Sequence, residues 1–141
     1  MLKNENNYYT WLKTDKVQIN QYFSTSEFTC HCNFSTCVNQ KISVDLINKL
    51  TDLRKEINSP LKITSGFRCP EYQQKLIKTG VNTVVAKKST HELGNAADVI
   101  CVILSIPEFI IKSEKYFMAI GIAKTFLHLD LRNDKIRRWN Y

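Results

Sequence analysis

The sequence predicts an α+β fold, with a small, mainly antiparallel sheet and flanking helices. Three observations predict it. Residues 43–57 carry apolar side chains at helical spacing. Residues 97–104 form an apolar run broken only by Asp98, the pattern of a strand buried on both faces. Residues 126–131 alternate, so that every second side chain shares one face of a strand. These patterns are mixed along the chain without the repeated strand–helix unit of a parallel sheet.

Residues 1–20 are rich in Asn and weakly patterned. Tyr8, Tyr9, Trp11 and Leu12 read as a short helix or an arm, and the stretch Tyr22 to Phe28 offers hydroxyls for caps or turns. Ser43 can cap a helix in which Leu46, Ile47, Leu50, Leu53 and Ile57 share one stripe. Asn58-Ser59-Pro60 ends it. Leu61 to Thr64 reads as a short strand leading into Ser65-Gly66-Phe67-Arg68. Pro70 suits the first position of a further helix reaching about Lys78, and Gly80 suits its C-terminal cap. Residues 81–90 read as a loop.

After the apolar strand, Ser105-Ile106-Pro107-Glu108 carries a helix start. Gly121 is placed at the end of that helix's neighbourhood. Phe126 to Leu131 is the final strand. Trp139 and Tyr141 in the basic tail are expected to fold back onto the domain.

The 141 residues fit one domain spanning the whole chain. With 43% hydrophobic and 23% charged residues, the composition is that of a globular protein. No apolar run of about 18 residues is present, so membrane insertion is not expected. The start, MLKNENNYYTWLK, lacks the apolar region of a signal peptide. The expectation is synthesis in the cytoplasm, and delivery by another route if the target lies outside. A net charge of +7 favours anionic partners: nucleic acid, anionic lipid or cell wall. It also serves solubility.

Two segments carry candidate chemistry. Ser89-Thr90-His91-Glu92-Leu93-Gly94-Asn95-Ala96-Ala97-Asp98 sets a histidine seven residues before a carboxylate at the mouth of the apolar strand. A carboxylate there is costly to bury unless it is paired or bound to a metal. In the last strand, Leu127, Leu129 and Leu131 face the core, which leaves Phe126, His128 and Asp130 on the other face. Two histidines and a carboxylate are a zinc donor set that leaves one coordination position for water. His91-Glu92 does not continue to a second histidine, because Asn95 stands there, so the HExxH motif is absent. Glu92 reads as a solvated side chain.

These segments resemble the M15 family of zinc peptidases, which includes D-alanyl-D-alanine carboxypeptidases and phage L-alanyl-D-glutamate endolysins. The matching elements are Ser65-Gly66-Phe67-Arg68, Ser89-x-His91-x-x-Gly94-x-Ala96-x-Asp98 and His128-x-Asp130, and the closing Arg138-Trp139-Asn140-Tyr141 is also similar. The resemblance covers residues 42–141 as the core, with 1–41 a variable N-terminal segment. It implies a DD-peptidase- or hedgehog-like fold with zinc in a cleft on the sheet, held by His91, Asp98 and His128. It implies a hydrolase of peptidoglycan stem peptides, acting on the wall after release or delivery; a monomer is expected. Arg68 would hold a substrate carboxylate or stabilise the oxyanion, and Ser89 would bind within the site or shape the loop. Several members place an acidic base three residues before the last histidine ligand. Here that position is Thr125, and Asp130 is the substitute candidate. The converse division makes Asp130 a ligand and His128 the acid/base.

Five cysteines remain: Cys30, Cys32, Cys37, Cys69 and Cys101. The odd count argues against a complete disulfide framework. Cys30, Cys32 and Cys37 read as ordinary thiols, as half of a structural zinc site with Cys69 as a distant partner, or as a disulfide formed after release. Cys101 reads as core. Two rival functions are a non-catalytic wall-binding or virion module with the same zinc site, and a basic nucleic-acid binder. The second has the charge but no recognisable motif, so no nucleic-acid partner is expected.

Overall fold

Asn6 and Asn7 both adopt positive φ, at 51° and 65°. That is the geometry of a two-residue hairpin turn, and Asn tolerates it better than most residues. The turn joins β1 (Lys3–Glu5) to β2 (Tyr8–Leu12). The helix or arm expected here is therefore a hairpin. β3 (Asn39–Ser43) pairs with β2 and completes a three-stranded antiparallel sheet. Between β2 and β3 lies only one short helix, α1 (Thr25–Phe28), started where Glu27 accepts a hydrogen bond from the Ser24 amide at 2.7 Å. The computed structural model describes residues 1–79 and 89–141.

α2 (Val44–Ile57) follows the expected pattern closely. The Ser43 hydroxyl accepts from the Leu46 amide, and Asn58 ends the helix in the left-handed region. Leu46, Ile47, Leu50 and Leu53 are buried. β4 (Leu61–Ser65) and α3 (Pro70–Thr79) also lie where the sequence places them. The proposed Gly80 cap and residues 81–88 of the expected loop lie outside the described residues.

β5 (Ala96–Cys101) is shorter than the apolar run, because Val102 and Ile103 turn out to solvent. Ser105 and Glu108 form a capping box at the start of α4 (Ile106–Ser113). Gly121 is not a helix end. It lies inside β6 (Ala119–Ile122), which precedes β7 (Leu127–Asp130). The tail folds back as β8 (Arg137–Asn140).

The second sheet has the order β4-β5-β7-β6-β8. All its pairs are antiparallel except β6 with β8. The architecture is thus α+β with mainly antiparallel sheets and flanking helices. One face of the five-stranded sheet contributes Ala97, Val99, Ile120, Leu127 and Leu129 to the core, packed with Leu46, Leu50, Phe109 and Phe117. The alternation of strand side chains sends Asp98, His128 and Asp130 to the other face. Among the described residues no helix is long and apolar enough to cross a membrane.

Candidate metal centre

Five residues form one row across the second sheet. Ser65 is in register with Asp98, Asp98 with His128, His128 with Gly121, and Gly121 with Trp139. The β4 register slips between Ile63 and Ser65, and this bulge brings Ser65 opposite Asp98. At Gly121 a Cβ would lie 2.7 Å from the Trp139 ring. Glycine therefore lets the indole lie across β6 towards His128, where the ring centroids are 5.4 Å apart.

The turn before β5 delivers His91 to the row. The Ser89 hydroxyl accepts from the His91 amide at 3.1 Å, and the His91 carbonyl accepts from the Gly94 and Arg68 amides, both at 3.2 Å. Gly94 closes the turn at φ 72°, in the left-handed region that favours glycine. Of the two roles expected for Ser89, the bond it makes here is the loop-shaping one.

Three side-chain atoms converge. His91 Nε2 lies 3.2 Å from Asp98 Oδ1 and 3.2 Å from His128 Nδ1. His128 Nδ1 lies 3.1 Å from the same Asp98 oxygen. The outer nitrogens fix the tautomers. His91 Nδ1 is 2.7 Å from the Gly66 carbonyl, which can only accept, so this nitrogen carries the proton. His128 Nε2 is 2.8 Å from Asp130 Oδ2 and is the donor by the same reasoning. In the neutral rings both inner nitrogens present lone pairs, facing each other and a carboxylate oxygen. Such a triad calls for a cation at its centre. Bonds of about 2.0–2.1 Å at tetrahedral angles would set ligand atoms about 3.3 Å apart, close to the spacing here. The donor set fits zinc in composition and in spacing.

The carboxylates are held from behind. Arg68 is buried, and its Nη2 donates to Asp98 Oδ2 at 3.2 Å. Its Nε donates to Ser65 Oγ at 3.1 Å and its Nη1 to Gln73 Oε1 at 3.4 Å. Arg68 thus leaves Asp98 Oδ1 turned to the triad; its expected role as a substrate clamp is not what this pairing shows. Asp130 is fully buried. Besides His128, it accepts from Arg132: Oδ1 takes the amide and Nε at 3.0 Å, and Oδ2 takes Nη2 at 2.8 Å. Both of its oxygens are committed, and it stands behind His128, away from the convergent atoms. That placement does not suit the base role expected of it, nor the ligand role of the converse division.

The electrostatics follow from this arrangement. Burial alone would raise the Asp98 pKa, but His91 and His128 hold it far below the usual carboxylate range. Burial pushes His91 down against the pull of Asp98. It would also lower His128, yet the hydrogen bonds to Asp130 and Asp98 raise that group. Asp130 is held at about 2, since bonds from His128 and Arg132 outweigh its burial.

Sequence reasoning did not find the Gly66 carbonyl, Arg132, Thr90 or the Trp139 ring. Thr90 Oγ1 lies 3.4 Å from His128 Nε2, and Arg132 lies over Trp139 at 5.2 Å. The only available signal was position: Gly66 falls within the SGFR turn, and Thr90 precedes His91.

The peptidase M15 sequence model matches residues 21–130. No curated protein sequence matches the chain. Among solved structures, the Serratia marcescens L-Ala D-Glu endopeptidase ChiX is similar, with a TM-score of 0.50 and 16% identity over 64% of this chain and 80% of that one. At that identity the likeness is one of fold. The family match covers most of the chain and ends on Asp130, taking in every residue of the triad. The chain therefore belongs to the peptidase M15 family and is a metallopeptidase.

Proposed function

We propose that the chain is a zinc-dependent hydrolase of peptide bonds in the stem peptides of bacterial peptidoglycan. The observation that carries this reading is the convergence of His91 Nε2, Asp98 Oδ1 and His128 Nδ1 at 3.1–3.2 Å, with both outer ring nitrogens tied to acceptors. Zinc, when bound, supplies a Lewis acid that polarises the scissile carbonyl and makes water nucleophilic at neutral pH.

The chain's own residues prepare that chemistry. Gly66 O holds the proton of His91 on Nδ1, and Asp130 holds that of His128 on Nε2. Both inner lone pairs thus stay available and both rings stay oriented. Arg68 neutralises the outer oxygen of Asp98. Asp130 is a positioning residue in this account, acting through His128. The Trp139 ring packs near the buried His128 ring, with centroids 5.4 Å apart. The excess positive charge suits the anionic wall that holds the stem peptides.

The test is digestion of purified sacculi by zinc-loaded protein, with the released muropeptides read by mass spectrometry. New stem-peptide termini are expected. Loss of a terminal D-alanine would mark a carboxypeptidase, and an internal cut an endopeptidase or lysin. Intact stems across walls of differing peptide composition would overturn the proposal.

A further inference from the structure

A second group of metal-ligating side chains lies outside the triad. Cys30, Cys32, Cys37 and Cys69 are all buried, and their sulfurs all lie within 4.8 Å of one another. Cys69 Sγ and Cys32 Sγ are 3.7 Å apart. Zinc–sulfur bonds of about 2.3 Å at tetrahedral angles would set sulfurs about 3.8 Å apart. None of the four is in a disulfide. Cys101 stands apart in the main core.

Each sulfur accepts at least one N–H. Cys30 Sγ takes the Cys69 amide at 3.4 Å, and Cys69 Sγ takes the Tyr72 amide at 3.4 Å. Cys37 Sγ takes Gln40 Nε2 at 3.3 Å, and Cys32 Sγ takes the Lys13 ammonium at 3.1 Å. Gln40 is buried and also accepts the Cys30 amide on its Oε1 at 2.8 Å, so one side chain braces two of the cysteines. Four thiolates around a divalent cation carry a net charge of −2, which the Lys13 ammonium partly offsets. Donors aimed at every ligand atom are the outer shell such a site needs. His31 is not one of the converging ligand groups, and its Nε2 lies 3.0 Å from the Thr64 carbonyl.

We propose that Cys30, Cys32, Cys37 and Cys69 bind a second, structural zinc ion. All four coordination positions are protein sulfurs, which makes the site closed and non-catalytic. Residues 29–38 form no helix or strand, and among the described residues their small cluster contains only Phe34, Phe67 and Tyr72 besides the cysteines. A metal supplies there the cohesion that a larger apolar core would otherwise give. The clamp also reaches the catalytic row. Cys69 follows Arg68 and lies three residues after Gly66, whose carbonyl orients His91. Zinc at the cysteines therefore ties the α1–β3 segment to the turn that positions both residues.

The test is zinc content by mass spectrometry, on protein purified under reducing conditions without added metal. About two zinc ions per chain are expected in the wild type and in Cys101→Ser, and about one in His91→Ala. Cobalt exchange identifies the ligands without relying on a cysteine variant that fails to fold. His91→Ala/His128→Ala loaded with cobalt should keep an intense thiolate-to-cobalt charge-transfer band, as only sulfur ligands give one. A wild type with about one zinc, lost in His91→Ala, and no such band would overturn this proposal and leave the hydrolase reading standing. About one zinc that survives His91→Ala, with the band present, would support the cysteine site and count against the catalytic one. Fewer than five titratable thiols in denatured, unreduced, metal-stripped protein that never bound cobalt would show disulfides instead, and would also overturn it.

Discussion

His128 divides its two ring nitrogens between two carboxylates: Nδ1 lies 3.1 Å from Asp98 Oδ1, and Nε2 lies 2.8 Å from Asp130 Oδ2. Asp98 is in register with His128 on the neighbouring strand, whereas Asp130 is two residues along the same strand. The first contact creates a ligand pair. The second sets the proton on the far side of the ring. Asp130→Asn should therefore fold and keep both histidines, but bind zinc about 10–100-fold more weakly. Competition with a chromophoric chelator measures this. Undiminished zinc affinity with lost activity would return Asp130 to the role of base.

The Gly66 carbonyl performs the same service for His91, and the position tolerates no side chain. A Cβ there would lie 2.6 Å from the Phe28 Cα. Gly66→Ala should cost about 1–3 kcal/mol in stability, and the displaced carbonyl should weaken zinc binding as well. Chemical denaturation and the same chelator competition read the two effects. A destabilised variant with wild-type zinc affinity would separate Gly66 from the site.

Arg68 pairs with a buried carboxylate, and removal of one partner leaves the other uncompensated. Arg68→Gln should destabilise the metal-free protein by about 3 kcal/mol. Excess zinc should narrow the deficit, since the ion then neutralises Asp98. An equal deficit with and without zinc, in denaturation curves, would mean that Arg68 acts through packing alone.

The Asp130 carboxyl is held at about 2, against an ordinary value of 3.8. A depressed carboxyl stabilises the fold above the unfolded value, and the contribution is lost as pH falls through the folded value. It is full above about pH 5 and fades between about pH 4 and 2. Denaturation midpoints over that acid range should fall more steeply for the wild type than for Asp130→Asn. Parallel curves would show no charge-dependent stabilisation at this residue.

Much of the frame is legible in the sequence because local patterns decide it. The α2 stripe, the Ser43 cap and the alternation around His128 each depend on a few adjacent residues, and each is realised. What escaped depends on contacts between distant segments. The N-terminal hairpin rests on two asparagines at positive φ, a conformation that composition does not announce. Gly121 reads as a helix end, but its role is to make room for an indole eighteen positions later. The alternation puts Asp130 on the same face of β7 as His128. Its partner, however, is set by the side on which His128 presents Nε2, and by Arg132 closing over both oxygens. Cys69 as a distant partner of Cys30, Cys32 and Cys37 is one of three readings their sequence leaves open, and it is the turn after β4 that brings its sulfur to theirs.

In the proposed function, His91, Asp98 and His128 hold the zinc that cuts stem peptides. The most direct measurement follows stem-peptide cleavage while zinc is stripped from the protein and then titrated back, for the wild type and for His91→Ala of verified fold. Wild-type cleavage should disappear on stripping and return as zinc is restored, while His91→Ala should stay inactive at every zinc concentration. Cleavage that persists in metal-stripped wild type, or that His91→Ala performs equally well, would contradict it.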